Sequence, residues 1–274
     1  MYNIYVFIQP ELRGVYMLEM IFVFIGFIFG AAIGSFANAA AMRTVAEKKW
    51  WGRERSVCDS CGRVLSAWEL VPVLSFILLR GRCSSCGGRI SPRHLFSELA
   101  CGLLMALFVL RFGLSPALYF SAAALPFLAF NTITDIDCGY IYDAWPLAMA
   151  VVALALRAFG GWSALLDGVY GALAGAGVIG AIIILSRGRM GIGDAVLMLG
   201  IGAFMGFKLS LLSLYAGFLC GGLVVVPLLL AGRVTRKTAV PLGPFLCAGM
   251  VLASFFGEKI LYYLGYLTAW PWIY

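Results

Sequence analysis

Four acids stand out by their setting. Asp135, Asp137 and Asp143 lie together in Thr134-Asp135-Ile136-Asp137-Cys138-Gly139-Tyr140-Ile141-Tyr142-Asp143, and Asp194 closes Gly191-Ile192-Gly193-Asp194. Both segments border long apolar runs. Ionisable residues at such depths are costly and usually functional; the plain alternative is an acid at a loop end that simply faces water. The 135–143 run carries no base. Asp194 follows a Gly-x-Gly, which permits close backbone approach. Two carboxylates at one site can share a proton, because neighbouring like charges resist ionising together. The ionised group then acts as general base on a water, and the protonated one donates to a substrate carbonyl. Such titration belongs to the pair, so either acid can hold either role. This chemistry needs no metal and no nucleophilic side chain. The chain has one histidine, His94, which argues against a zinc metalloprotease and a Ser-His triad.

The second constellation is sulfur. Cys58-x-x-Cys61 and Cys83-x-x-Cys86 are two thiol pairs separated by 21 residues. Four thiolates in two such knuckles suit tetrahedral Zn²⁺. Disulfides and redox thiols are the rival readings, and a reducing cytoplasm disfavours stable disulfides. The gap holds Val71-Pro72-Val73-Leu74-Ser75-Phe76, which reads as a packed insertion. Cys101, Cys138, Cys220 and Cys247 lie in or near apolar runs and read as small apolar residues.

The elements that must position these groups are set by composition. Of 274 residues 62% are hydrophobic and 12% charged, with mean hydropathy +0.96. A soluble domain cannot hide that much apolar surface. Disorder, a nucleic-acid-binding domain and an ordinary soluble enzyme are excluded, and an all-α polytopic membrane protein remains. At about 20 residues per span, apolar runs near 17–42, 97–111, 115–134, 144–160, 163–186, 194–207, 209–231 and 239–256 predict about eight transmembrane helices. The first reads as a retained signal anchor. The tail 260–274 is rich in Tyr and Trp, which favour the interface.

Residues 43–96 hold 10 of the 20 basic residues. With this segment cytoplasmic, the loops at 135–143, 187–193 and 232–238 share its side. Fifteen bases then fall inside, and Arg13, Arg111, Arg157, Lys208 and Lys259 fall outside. That bias sets both termini outside and explains the net charge of +7 without a nucleic-acid partner. Four parts follow: 1–43, an N-terminal segment with the first helix; 44–96, a small cytoplasmic four-cysteine zinc-binding loop domain; 97–257, a transmembrane catalytic core; and 258–274, an aromatic interfacial tail. Gly34-Ser35-Phe36-Ala37-Asn38 reads as helix packing, as do Gly171, Gly175, Gly177 and Gly180.

Taken in order, these motifs resemble the prepilin peptidases, or type IV leader peptidases, a family of aspartic Gly-x-Gly-Asp membrane proteases. The likeness runs through Gly34-Ser35-Phe36-x-Asn38 to Arg43, Cys58-Asp59-Ser60-Cys61-Gly62, Val71-Pro72-Val73-Leu74-Ser75, Leu79 through Gly87, Ile90-Ser91-x-Arg93 to Glu98, Asp135 to Asp143, Met190-Gly191-x-Gly193-Asp194, and Pro241-Leu242-Gly243-Pro244-Phe245. The resemblance implies removal of the basic leader of prepilins and pseudopilins after a glycine at the cytoplasmic face of the bacterial inner membrane. It implies N-methylation of the new terminus with S-adenosylmethionine. It places catalysis on Asp135 and Asp194 and zinc on Cys58, Cys61, Cys83 and Cys86. Gly81 falls in a loop motif linked to methylation, and Asn38, Arg43 and Glu98 join it as candidates for cofactor binding. Asp137, Asp143, Gly191 and Gly193 are candidates for positioning substrate; the acids would receive the cationic leader. The peptidase step implies no cofactor. The expected partners are prepilins, pseudopilins and the lipid bilayer, and no feature sets an oligomeric state.

The chain departs from the family pattern at Tyr142, where Pro is usual, at Val196, where Lys is frequent, and at His94-Leu95, where Tyr-Pro is usual. On sequence alone Asp137 competes with Asp135. A membrane thiol oxidoreductase using the Cys pairs and a presenilin-type protease are the alternatives. A transporter would need mid-span polar residues and repeated halves; the spans show almost none of the former and no convincing repeat.

Overall fold

The computed structural model describes residues 10–51, 55–188, 190–235, 240–266 and 270–271, with side chains from residue 17 onward. Arg53, Glu54, Arg189, Arg236 and Lys237 of the charge pattern, and Trp272 and Tyr274 of the tail, lie outside them.

The described residues are helical, with two isolated antiparallel bridges as their only β pairing. In order they form α1 (Pro10–Val45), a 3₁₀ turn (Ala67–Leu70), α2 (Leu74–Leu78), α3 (Pro92–Phe112), α4 (Pro116–Cys138), α5 (Ala144–Ala158), α6 (Trp162–Leu185), α7 (Ile192–Met205), α8 (Phe207–Leu230) and α9 (Gly243–Tyr263). Among the described residues, six helices are long and apolar enough to cross a membrane: α1, α3, α4, α6, α8 and α9. The other two expected spans correspond to shorter apolar helices, α5 of 15 residues and α7 of 14. The chain is a multi-pass membrane protein.

Helix ends differ from the hydropathy boundaries for local reasons. α3 begins at Pro92 because Ser91 caps it, its hydroxyl accepting from Arg93 N at 3.4 Å, and proline suits the first turn. α4 continues to Cys138, so Asp135 and Asp137 sit in its last turn and not in a loop. Gly139, at φ +64°, ends it. α9 starts at Gly243, where Pro244 falls in the first turn, and extends to Tyr263 into the segment expected to be tail.

The chain divides into two compact units, Met1–Phe36 with Trp51–Leu118, and Ala37–Trp50 with Tyr119–Tyr274. In the first, α1 meets α3 along Gly26, Gly30 and Gly34, one residue per turn. A Cβ at Gly26 would lie 2.8 Å from Val109, and side chains at Gly30 and Gly34 would strike the backbones of Cys101 and Ser97. Lipid gives helices no hydrophobic reason to associate, so small residues that allow close van der Waals packing take over.

The second unit repeats this device. Gly171 of α6 and Gly202 of α7 press backbone on backbone. Gly200 sits against Pro146 O of α5, and Gly249 of α9 against Ser213 O and Gly217 of α8. Gly175 also lies in a seam, close to Ser210 and Met198, whereas Gly177 and Gly180 face open space. The packing role expected for all four α6 glycines therefore holds for two of them.

Candidate active site and metal centre

The second unit brings together the ends of α4, α7 and α9. Asp135 is 5% exposed, one helical turn beyond the buried Asn131 and beside the buried Thr134. Its carboxylate accepts a hydrogen bond from Gly243 N at 2.7 Å. Gly243 opens α9, so this N–H is one of the unpaired donors of a helix start, where anions are favoured. A side chain at 243 would collide with Asp135 Oδ2, at 2.7 Å from its Cβ. This explains a glycine in Pro241-Leu242-Gly243-Pro244.

Asp194 occupies the third position of α7 and is half-buried. Its carboxylate lies close to the Gly191 backbone that starts the helix and near enough to Asp135 to feel its charge. Gly193 is tight for a different reason: an added Cβ would lie 2.9 Å from Ile141 Cβ. Ile141 is buried and belongs to the short connection between α4 and α5. Gly191 is looser, with only Asp194 Oδ2 near, at 3.5 Å.

Asp137 and Asp143 are exposed. Residues two apart on a helix point about 200° apart, so α4 turns Asp135 inward and Asp137 outward. Beside them, Tyr142 packs with Ile133 and Trp145 against Ala40, Ala41 and Phe130. Trp145 stacks on Phe130 at 3.8 Å. The aromatic at 142 is thus a packing residue.

In the first unit the two Cys knuckles are built alike. Cys58 N pairs with Arg63 O and Gly62 N with Cys58 O, each at 2.8 Å; Cys83 N pairs with Gly88 O at 2.8 Å and Gly87 N with Cys83 O at 3.0 Å. Gly62 and Gly87 stand at φ +70° and +68°, a conformation open to glycine at no steric cost. The four sulfurs lie within 4.8 Å of one another, and Cys58 Sγ is 3.9 Å from Cys86 Sγ. Zn–S bonds of about 2.3 Å in a tetrahedron set sulfurs about 3.8 Å apart, so the cluster fits zinc. Backbone N–H groups of Cys86 and Ser85 pull the Cys83 thiol down to about 6. Although Gly88 N–H favours its thiolate, Cys86 is pushed up to about 11 by the Cys61 thiol, by desolvation and by Cys83 and Cys58. Four convergent thiols cannot all ionise without a cation among them.

Glu69 is the site residue that the cysteine pattern does not reveal. Its buried carboxylate accepts from Ser66 N at 2.8 Å, and from Ser66 Oγ, Ser84 Oγ and Arg63 Nη2 at 2.6 Å each. Arg63 in turn donates to Ser84 Oγ at 2.9 Å, next to Cys83. One acid thereby ties both knuckles together. The spacing Ser66-x-x-Glu69 is a capping box, and that was the signal in the sequence.

Of the cofactor candidates, Gly81 and Glu98 are engaged inside the loop unit. Gly81, at φ +66°, packs under the Phe76 ring, and its carbonyl accepts from Ile90 N at 2.8 Å. Glu98 is buried and accepts from Val73 N at 2.7 Å. Val73 (φ 64°, ψ −51°) centres a γ-turn closed by Leu74 N to Pro72 O at 2.6 Å, a strained form that this carboxylate helps hold. Asn38 is fully buried, and Arg43 donates to Trp50 O at 3.4 Å.

Paired acids at one end of a helical membrane bundle, with a separate four-cysteine centre, define the class: a polytopic membrane protein equipped for acid–base chemistry. The comparisons with known proteins make the assignment particular. Residues 28–112 match the Bacterial Peptidase A24 N-terminal domain, and residues 122–226 match the Type IV leader peptidase family. A prepilin leader peptidase/N-methyltransferase of Bacillus subtilis (strain 168) is 32% identical, covering 86% of this chain and 94% of its own. Proteins of the same name from Pseudomonas putida, at 32% identity, and Burkholderia pseudomallei (strain 1026b), at 31%, each cover 87% of this chain and 92% and 86% of their own lengths. The chain belongs to the type IV leader peptidase family. No solved structure matches it.

Proposed function

We propose that the chain is a membrane aspartic endopeptidase that removes the basic leader of type IV prepilins and pseudopilins after glycine, with Asp135 and Asp194 as its catalytic pair. The observation that carries this reading is the approach of Asp194, at the start of α7, to within electrostatic reach of Asp135 at the end of α4, whose carboxylate is bonded to Gly243 N at 2.7 Å. The pair holds one proton between its members. The ionised carboxylate takes a proton from water as that water attacks the scissile carbonyl, and the protonated one donates to the carbonyl oxygen. The proton then passes to the leaving amine.

On the proposed reading the site faces the cytoplasm of a bacterial inner membrane, with both termini outside, as the basic residues of 43–96 direct. The exposed Asp137 and Asp143 receive the cationic leader while its apolar neighbour stays in lipid. Segment 44–96 serves as the loop domain, with zinc held structurally by Cys58, Cys61, Cys83 and Cys86, and 97–257 as the peptidase core. Methyl transfer is proposed from the names of the relatives alone. S-adenosylmethionine, when bound, would supply the methyl group for the new N-terminal amine.

The deciding experiment is leader release from a purified prepilin. The wild type should cut and Asp135→Asn and Asp194→Asn should not; cleavage by both variants would end the aspartyl reading. Product mass with S-adenosylmethionine added tests methylation independently. Asp137→Asn with Asp143→Asn should slow cleavage of basic leaders more than of neutral ones, and equal slowing would remove the leader-capture role.

A further inference from the structure

The geometry points to Arg157 as the positioning residue for Asp194, acting through the length of α7. The inference rests on the catalytic reading of Asp194 given above. Arg157 ends α5 and is fully buried. A charge pattern alone counts it as a cation of the outer face; the fold turns it inward onto the end of α7 opposite Asp194.

Its guanidinium is almost fully committed. Nε donates to Ala203 O at 2.8 Å and Nη2 to Phe204 O at 3.0 Å. Nη1 donates to Ala164 O and to Asp167 Oδ2, both at 3.1 Å. The two α7 carbonyls are among the unpaired acceptors of a helix C-terminus, where cations are favoured. The Trp270 indole adds a second donor to Phe204 O at 3.0 Å, and Trp270 N is anchored on Glu258 of α9 at 2.7 Å. Asp167 also accepts from Phe207 N, the first residue of α8, at 3.1 Å. Gly168 leaves the room: a Cβ there would lie 2.5 Å from Arg157 Cδ. At Gly206, φ +78°, a side chain would strike Asp167.

Three features make this a register device. First, α7 has 14 residues, about 21 Å against a hydrocarbon core of about 30 Å. Hydrophobic matching therefore cannot set its depth. Second, its closest contacts with α6 and α5 are at Gly171, Gly202 and Gly200, apolar contacts without a polar side chain of α7 to fix a register. Third, a buried ion pair seldom adds net stability over an apolar pair of the same volume, and setting register is its best-attested use. A helix is stiff over four turns, so fixing its C-terminal carbonyls fixes the depth and rotation of Asp194 at its other end.

The test is steady-state cleavage of a prepilin across pH by full-length enzyme in detergent, with Arg157→Met, Arg157→Lys and Trp270→Phe. Displacing one carboxylate weakens its coupling to the other, so the two limbs of the bell-shaped profile should draw together. Arg157→Met should lower kcat about tenfold or more while KM changes by less than about twofold. Arg157→Lys should recover part of the loss, and Trp270→Phe, which removes one donor, should move the limbs least and in the same direction. A merely structural arginine would lower the amount of folded enzyme and leave the limbs in place. If Arg157→Met does not fold, Trp270→Phe and Arg157→Lys carry the test. Wild-type limbs and kcat in every variant that folds overturn the inference. Retained cleavage by Asp194→Asn marks failure of the catalytic reading itself. Loss of cleavage in Asp194→Asn beside an unaltered profile in the Arg157 variants marks failure of the positioning role alone.

Discussion

The two units place their chemistry by opposite means. In the four-cysteine loop, each knuckle closes within six residues through its own backbone bonds and a glycine at positive φ. In the bundle, the bond that holds Asp135 joins residues 108 apart in sequence. The loop's geometry is written locally, and its four thiols converge within reach of one metal ion. The bundle's geometry exists only when several helices have packed at the right depth. Damage to the first should be contained, and damage to a packing residue of the second should reach the site from a distance.

The largest expected effects test that separation directly. Asp135→Asn and Asp194→Asn should each lower cleavage by a factor on the order of 10³ while leaving bound zinc at the wild-type amount, measured by elemental analysis. Zinc loss in these variants would break the separation. Next, Gly193→Val places a branched side chain where Ile141 Cβ lies 2.9 Å from an added Cβ. It should cost about 10²-fold in kcat with unchanged zinc, and near-normal kcat would show that α7 has slack at Asp194. The reciprocal test is Cys58→Ser. It should release the metal yet keep cleavage within roughly threefold, since a local centre supports little beyond its own loop. Loss of cleavage in proportion to zinc would join the two halves.

This difference also governs what the sequence discloses. The Cys-x-x-Cys pairs, the glycine after each and Ser66-x-x-Glu69 are short-range patterns, and each maps onto one local structure. Asp135 and Asp137 show the reverse. Their flanks are equally acidic, and only the extension of α4 to Cys138 makes one buried and the other exposed. Helix positions were legible because apolar runs are long. Their ends were not, because Ser91, Gly139 and Pro244 act through caps that hydropathy ignores. Arg157 was illegible for a physical reason: a charge near a span end normally seeks water, and only tertiary packing supplies the four acceptors that bury it.

The smallest effect sharpens the local side. Glu69 lies outside the cysteine pattern but holds Ser84, next to Cys83, directly and through Arg63, and such supporting contacts tune metal affinity by about tenfold or more. Glu69→Gln should therefore raise the zinc dissociation rate roughly tenfold, read by transfer to a chromogenic chelator, with leader cleavage unchanged. The pH dependence has a definite sign. Hydrogen bonds from Ser66, Ser84 and Arg63 hold the Glu69 carboxyl down to about 2, below its ordinary value of 4.5. A carboxylate lowered on folding stabilises fully above its ordinary value and loses that contribution as pH falls toward the folded one. The stability difference between wild type and Glu69→Gln in the loop should be constant from neutrality to about pH 4.5 and vanish near pH 2. A difference that grows on acidification would show that Glu69 carries its proton in the folded loop, and the hub would then be held by neutral hydrogen bonds.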